Sequence, residues 1–158
     1  MIDISDLIID RKSADVERAK KARAKLAHGE ELLSTEKLDL ERGLYTINTL
    51  NRVEGKIREL DENLRSQGYY AGISSTKEWT ASDIFTQADH SRILDNIKKI
   101  KNALVFYRTM STVPTYMFGW REANNIEIIL RDTAVKYEDM VSRIRECGTF
   151  YCGEANDN

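Results

Sequence analysis

Histidines are the first candidates for metal binding and for general acid–base catalysis in a small protein. The chain has two, His28 and His90. Helical bundles that hold a di-metal centre place a glutamate three residues before each ligand histidine, whereas Lys25 and Gln87 occupy those positions here. His90 follows an aspartate, which favours a surface histidine over a base that activates Cys152 as a nucleophile. The sequence therefore predicts no metal ligand and no catalytic histidine.

The two cysteines, Cys147 and Cys152, are four residues apart. This spacing supplies at most two zinc ligands, and no histidine is near them in sequence, so two reduced thiols are expected. Gly148 and Gly153 match the glycine spacing of a phosphate-binding loop, but Glu154 follows where that loop requires lysine. We expect neither a metal nor a cofactor at this end of the chain.

Adjacent carboxylates occur at Asp61 with Glu62 and at Glu138 with Asp139. A catalytic pair must converge on one substrate, whereas neighbouring positions on a helix point in different directions. We expect these four side chains to be solvated. With no catalytic residue identified, the sequence favours a protein that is not an enzyme.

The composition predicts a helical protein with one core. Of 158 residues, 41% are hydrophobic and 32% are charged, and there is one proline. A formal charge of −2 argues against binding to the phosphate backbone of nucleic acid. No apolar run reaches the roughly 18 to 20 residues that cross a bilayer, and the first residues lack the pattern of a signal peptide. The expectation is a soluble chain made in the cytosol, with no membrane insertion.

Three long stretches repeat apolar residues at alternating spacings of three and four, which indicates one apolar face of a helix. They begin near Asn48, Thr86 and Asn124, although the last could begin at Trp120. The principal residues of these seams are Leu50, Val53, Ile57, Leu60, Ile93, Ile97, Ile126, Leu130 and Tyr137. Seams this narrow favour helices packed nearly parallel or antiparallel. They could pack within one chain or between subunits, and the sequence leaves both open.

Two shorter helices precede the long ones, from Ser13 to about Ala27 and from about Ser34 to Gly43. The first is basic and the second is acidic. They form either a docking surface for an acidic partner or two solvated faces of opposite sign that attract one another. Leu38 is expected to face inward.

The predicted fold is all-α, with an arm at 1–12, a helical bundle at 13–148 and a tail at 149–158. Ile2, Ile4 and Leu7 give the extended arm an apolar character without a clear period. It either contacts a neighbouring molecule or folds back on its own bundle.

Aromatic residues cluster in and after the loop between about 69 and 88. One interpretation is a platform that stacks on cell-wall sugars, made of Tyr69, Tyr70, Trp79, Tyr116 and Trp120. The alternative is that loop aromatics close the end of the bundle.

Three segments carry a resemblance to a known family. They are LIIDRKSADVERAK, LNRVEGKIRELDENL and NNIEIILRDTAVKYEDMVSRIRECGTFYCGE. The chain resembles tail-associated structural proteins of phages and prophages of Gram-positive bacteria. The matching positions are Asp10, Arg11, Ala14, Asp15, Val16, Leu50, Asn51, Arg52, Val53, Glu54, Trp120, Asn124, Asn125, Ile126, Glu127, Ile129, Leu130, Gly148, Tyr151, Gly153 and Glu154.

The resemblance implies a virion protein present in many copies in the tail, baseplate or collar, with no reaction to catalyse. Its partners would be other virion proteins and further copies of itself, and it would be made in the host cytoplasm. Two other functions remain open. One is a receptor-binding accessory that recognises a cell-wall glycan, and the other is a soluble helical regulator that binds a partner protein.

Overall fold

A computed structural model describes residues 2–104 and 110–146, with no description of the side chains from 144 to 146. These residues form five α-helices and no strand. The helices are α1 (Ser13–Ala27), α2 (Ser34–Gly43), α3 (Ile47–Ser66), α4 (Gln87–Asn102) and α5 (Trp120–Glu146). The predicted all-α class is confirmed. The tail at 149–158 and both cysteines lie outside the described residues.

Helix α4 begins where its sequence predicts. The Thr86 hydroxyl accepts a hydrogen bond from the backbone N–H of Asp89 at 3.2 Å, and the Asp89 carboxylate accepts one from the backbone N–H of Thr86 at 3.1 Å. This reciprocal pair satisfies two N–H groups that the helix leaves free. It also lowers the pKa of Asp89, first through the Thr86 hydroxyl.

Helix α5 begins at Trp120, one turn before Asn124, which is the earlier of the two starts that the sequence allowed. The backbone N–H of Ala123 donates to the carbonyl of Gly119 at 2.9 Å. Asn124 is therefore inside the helix, where its side chain is not needed to cap the first turn.

The apolar faces of α3, α4 and α5 enclose one hydrophobic core, and each of these helices contacts the other two. All nine seam residues are buried there, covered by side chains of the same chain. Burying one large aliphatic side chain contributes about 1.5 to 3 kcal/mol relative to leaving it in water. The core is the main source of stability for the part of the fold that holds the site described below.

Helices α1 and α2 pack closely against each other through small residues. A Cβ atom built on Gly43 would lie 2.4 Å from both the Cβ of Ala19 and the carbonyl oxygen of Asp15. A side chain larger than that of glycine at position 43 would therefore clash with α1. Leu38 is 60% exposed, so its expected inward position is wrong.

Oppositely charged side chains join the two short helices. Arg18 Nε lies 2.8 Å from Asp39 Oδ1, and Lys25 Nζ lies 2.5 Å from Glu36 Oε1. These contacts match the interpretation of two solvated faces that attract one another. Exposed pairs contribute at most about 1 kcal/mol, so they orient the helices more than they stabilise them.

Candidate functional site: two buried Asn-x-x-Glu clamps

Residues 2–12 are not helical, and they pack against helices of the same chain. Ile2 is buried in the core, and its backbone N–H donates to Glu138 Oε1 at 2.8 Å. Ile4 and Leu7 are partly buried against the same core. Of the two alternatives for this segment, folding back on its own helices is the one observed within the chain.

An asparagine and a glutamate of α5 hold this segment. The backbone N–H of Arg11 donates to Asn124 Oδ1 at 3.1 Å, and Asn124 Nδ2 donates to the carbonyl of Arg11 at 3.0 Å. Three residues further along the helix, Glu127 Oε2 accepts from the backbone N–H of Ile8 at 2.6 Å. We call Asn124 and Glu127 the α5 clamp. It satisfies buried backbone groups that would otherwise lack partners.

Glu127 is also the centre of a buried charge cluster. Its side chain is 1% exposed and lies 2.5 Å from Arg11 Nη2 and 3.0 Å from Arg52 Nη2. Tyr45 is nearby, and burial, followed by the negative charge of Glu127, raises the pKa of its phenol. The Tyr45 hydroxyl has no hydrogen-bond partner among the described residues. One carboxylate thus serves two arginines, one of which belongs to the held segment.

Helix α3 carries a second arrangement of the same kind. The backbone N–H of Trp79 donates to Asn51 Oδ1 at 2.6 Å, and Asn51 Nδ2 donates to the carbonyl of Trp79 at 2.9 Å. Three residues after Asn51, Glu54 Oε2 accepts from the backbone N–H of Lys77 at 3.4 Å. The Trp79 indole donates to the other carboxylate oxygen of Glu54 at 3.3 Å. We call Asn51 and Glu54 the α3 clamp.

The carboxylate of the α3 clamp is paired with a single arginine from α4. Arg92 donates to Glu54 Oε1 at 2.5 Å and to Oε2 at 2.9 Å, which is a bidentate geometry. The Arg92 side chain is 18% exposed, and it also donates to the carbonyl of Ser75 at 2.9 Å. Its charge therefore remains partly hydrated.

Helix α4 contributes a third asparagine to the same loop. Ser74 donates its backbone N–H to Asn96 Oδ1 at 2.8 Å, and Asn96 Nδ2 donates to the carbonyl of Ser74 at 3.1 Å. The position three residues later is Lys99, so α4 lacks the glutamate of the two clamps. Between them, α3 and α4 fix a loop that has no regular secondary structure.

The structure does not assemble the predicted sugar platform. Trp79 is 4% exposed, and its ring centroid lies 5.3 Å from that of Phe85. Its ring therefore closes the core, as the alternative interpretation proposed, and has no open face for a sugar. The four other residues of the platform are exposed or partly exposed: Tyr69, Tyr70, Tyr116 and Trp120.

Two groups expected in solvent are buried. His90 packs against Phe118 with ring centroids 5.9 Å apart, and Asp61 Oδ2 accepts from Arg65 Nε at 2.6 Å. His90 is three residues before Ile93, so it shares the buried face of α4. Asp61 likewise lies on the inner face of α3. The position of these residues around the helix therefore predicts their burial better than the charged residues next to them in the sequence do.

The clamp glutamates were missed by the sequence analysis, although a signal was present. Glu54 is four residues after Leu50 and three before Ile57, and Glu127 is three before Leu130. These positions lie on the apolar face of the helix. A carboxylate there must be paired or must disrupt the core.

Among the described residues, no group of three or more histidine, cysteine, aspartate or glutamate side chains could hold a metal ion. Within that part of the chain, no helix has both the length and the apolar character needed to cross a lipid bilayer. Comparisons with protein-family models, curated proteins and solved structures found no match.

Proposed function

We propose that this chain is a phage virion structural protein, a multi-copy component of the tail, baseplate or collar that acts through subunit packing. The observation that supports this proposal is the structural role of five residues that carry the family resemblance. Arg11, Asn51, Glu54, Asn124 and Glu127 all fasten irregular segments to helices. Such fastening gives a small chain a fixed outer surface, which a repeated assembly requires.

The proposal includes a division of labour within the chain. The three long helices act as one rigid bundle, and the segment 2–12 is its N-terminal arm. Because the seam residues are buried within the chain, subunit contacts use other surfaces. The arm could contact a neighbouring copy by exchanging into the same groove of that copy, with Ile2 as its buried anchor.

The first test is the native mass of the purified protein over a concentration series, by light scattering behind a sizing column. We expect a discrete oligomer. A monomer at every concentration would contradict self-assembly.

A second test is antibody labelling of particles from the phage or prophage that encodes the chain. Label at the tail region is expected, and absence of the protein from purified particles would contradict the virion assignment.

Glycan recognition is the second candidate, and the exposed ring of Tyr70 is what favours it. Tyr70 is 74% exposed, with Arg65 stacked on it at 4.7 Å from the ring centroid. Tyr116 is also exposed. If these rings bind wall polysaccharide, Tyr70→Ala should abolish binding without loss of stability. Binding that survives this substitution would exclude the Tyr70 site.

The third candidate, a soluble regulator, predicts a stable monomer that binds one host protein.

A further inference from the structure

A groove of about 430 Å³ lies between α4 and residues 112–114, and we call it the α4 groove. Leu94 and Val113 form part of its lining, and both pack against the hydrophobic core. Lys101 joins the two walls, because its Nζ donates a hydrogen bond to the carbonyl of Ser111 at 2.8 Å. The fold itself therefore fixes the shape of the α4 groove, as is usual for a binding site.

The α4 groove carries an excess of positive charge beside its apolar wall. Lys98 and Lys101 line it, and neither is paired with a carboxylate of a described residue. Asp95 also lines it, but its carboxylate lies 2.7 Å from Lys99 Nζ. Two ammonium groups without a counter-charge favour a partner that brings carboxylates together with an apolar side chain.

The linker between α1 and α2 has this chemistry. It consists of residues 30–33, which are not helical and have the sequence Glu-Glu-Leu-Leu. Glu30 and Glu31 are exposed and form no salt bridge with a described residue. Lys25 is close enough for Glu30 to raise its pKa slightly, but Lys25 is bonded to a different carboxylate, in α2. Leu33 is 68% exposed, so this short segment leaves two carboxylates and a large apolar side chain in water.

The linker and the α4 groove also agree in size. Four extended residues span about 13 Å at roughly 3.3 Å each. The stretch of α4 that lines the groove, from Leu94 to Asn102, rises about 12 Å at 1.5 Å per residue. The linker is the turn that joins two packed helices, so it is convex where the groove is concave. Because its side chains are exposed, it does not occupy the groove of its own chain.

We propose that the α1–α2 linker of one copy binds the α4 groove of the next copy. The two linker carboxylates face Lys98 and Lys101, and Leu33 packs on the apolar wall. The two surfaces differ, so the contact is head-to-tail, and repetition closes a ring or extends a filament. One such contact is small and weak, and its repetition supplies avidity. This inference rests on the proposed multi-copy function and names the contact that it uses.

Two variants each remove one side of the contact. Glu30→Lys/Glu31→Lys makes the linker basic. Lys98→Glu/Thr112→Trp lowers the positive charge of the groove and narrows it, since Thr112 is exposed on its lining. Each variant alone should associate about a hundredfold more weakly than the wild type, because every contact then lacks one working side.

A mixture of the two variants tests the head-to-tail geometry. The groove variant keeps an acidic linker, and the linker variant keeps a basic groove, so one contact can form between them. The second contact cannot form, because the narrowed groove does not admit a linker. An equimolar mixture should therefore give a one-to-one complex and no larger species.

Sedimentation velocity over a concentration series, at low and moderate salt, measures the masses. Glu62→Lys on α3 and Lys21→Glu on α1 are matched charge reversals, since both positions are exposed and outside the linker and the groove. These controls should associate as the wild type does. Circular dichroism checks that all variants keep the helical content of the wild type.

The outcomes separate this inference from the proposed function. An oligomer that neither variant weakens would overturn the contact between linker and groove and leave the multi-copy proposal standing. Variants that dissociate and form no complex when mixed would overturn the pairing of these two surfaces. A mixture that restores the full oligomer would overturn the head-to-tail geometry. A wild-type chain that stays monomeric at every concentration would overturn both proposals.

Discussion

The α5 clamp and the α3 clamp use the same two residue types at the same spacing, but they balance charge in different ways. In both, the asparagine makes two hydrogen bonds to the backbone of one residue. Glu127 is paired with Arg11 from the held segment and with Arg52 from α3. Glu54 is paired with Arg92, which belongs to a helix of the core.

This difference predicts how each segment can move. Releasing residues 8–11 separates Arg11 from Glu127, so an ion pair in a buried setting has to be broken and hydrated. Releasing residues 74–79 leaves the pair of Glu54 and Arg92 intact. The α5 clamp should therefore open only with global unfolding, whereas the α3 clamp can open locally.

The largest expected effect is that of Glu127→Gln. It removes the carboxylate that two arginines share, and breaking a buried ion pair from one side costs about 3 to 5 kcal/mol. Urea unfolding monitored by circular dichroism measures this loss. Glu62→Gln, at an exposed position of α3, is the control and should change stability little. A loss below about 1 kcal/mol for Glu127→Gln would contradict the central role of this carboxylate.

A smaller loss is expected for Glu54→Gln. Arg92 remains partly hydrated, and the amide can still accept one hydrogen bond, so the cost should be about 1.5 to 3 kcal/mol. The same urea experiment measures it. Equal losses for Glu54→Gln and Glu127→Gln would show that the number of arginines does not distinguish the clamps.

The asparagines should separate local from global opening. Asn124→Ala leaves the buried N–H and carbonyl of Arg11 without side-chain partners, at a cost of about 2 kcal/mol. Asn51→Ala should cost about 1 kcal/mol, because Glu54 still accepts hydrogen bonds from the Trp79 indole and the Lys77 N–H. Hydrogen exchange measures both. The Trp79 amide should exchange faster in Asn51→Ala while α5 amides stay protected, and uniform acceleration would refute local opening.

The smallest effect concerns acid. Lys77 and then Thr80 lower the pKa of Asp83 to about 2, in the loop that the α3 clamp holds. A carboxyl whose pKa is lowered in the folded state stabilises the fold above its ordinary pKa near 3.8, and this contribution is lost as the pH falls through about 2. An NMR titration of the Asp83 carboxyl measures this. Lys77→Met should raise the pKa toward its ordinary value, and an unchanged midpoint would exclude the ion pair as the cause.

Helical periodicity predicted the elements because it reflects a local physical requirement. A helix that repeats apolar residues such as Leu50, Val53 and Ile57 has to bury that face, whatever the rest of the chain does. Predictions that depended on close packing were weaker. Leu38 was expected inside, but it is 60% exposed, because Glu36 and Asp39 are the side chains of α2 that face α1.

The clamps could not be predicted from local sequence because their partners are distant. Asn124 resembles a helix cap with Glu127 three residues later, and only the earlier start of α5 frees it to bind Arg11. Trp79 looked available in a loop, but its position depends on Asn51, which is 28 residues away. The sequence shows the Asn-x-x-Glu spacing within each clamp, but it does not show which segment the clamp binds.

The two clamps also differ in when they can form. The contact between Asn51 and Trp79 spans 28 residues, and that between Arg11 and Asn124 spans 113. During synthesis on a ribosome, Asn51 can bind Trp79 before α5 has been made. Arg11 can bind Asn124 only after α5 has emerged. Long-range closure of this kind slows folding. The nascent chain therefore keeps Ile2 and the apolar faces of α3 and α4 uncovered until α5 is available, which makes this interval the one most exposed to aggregation.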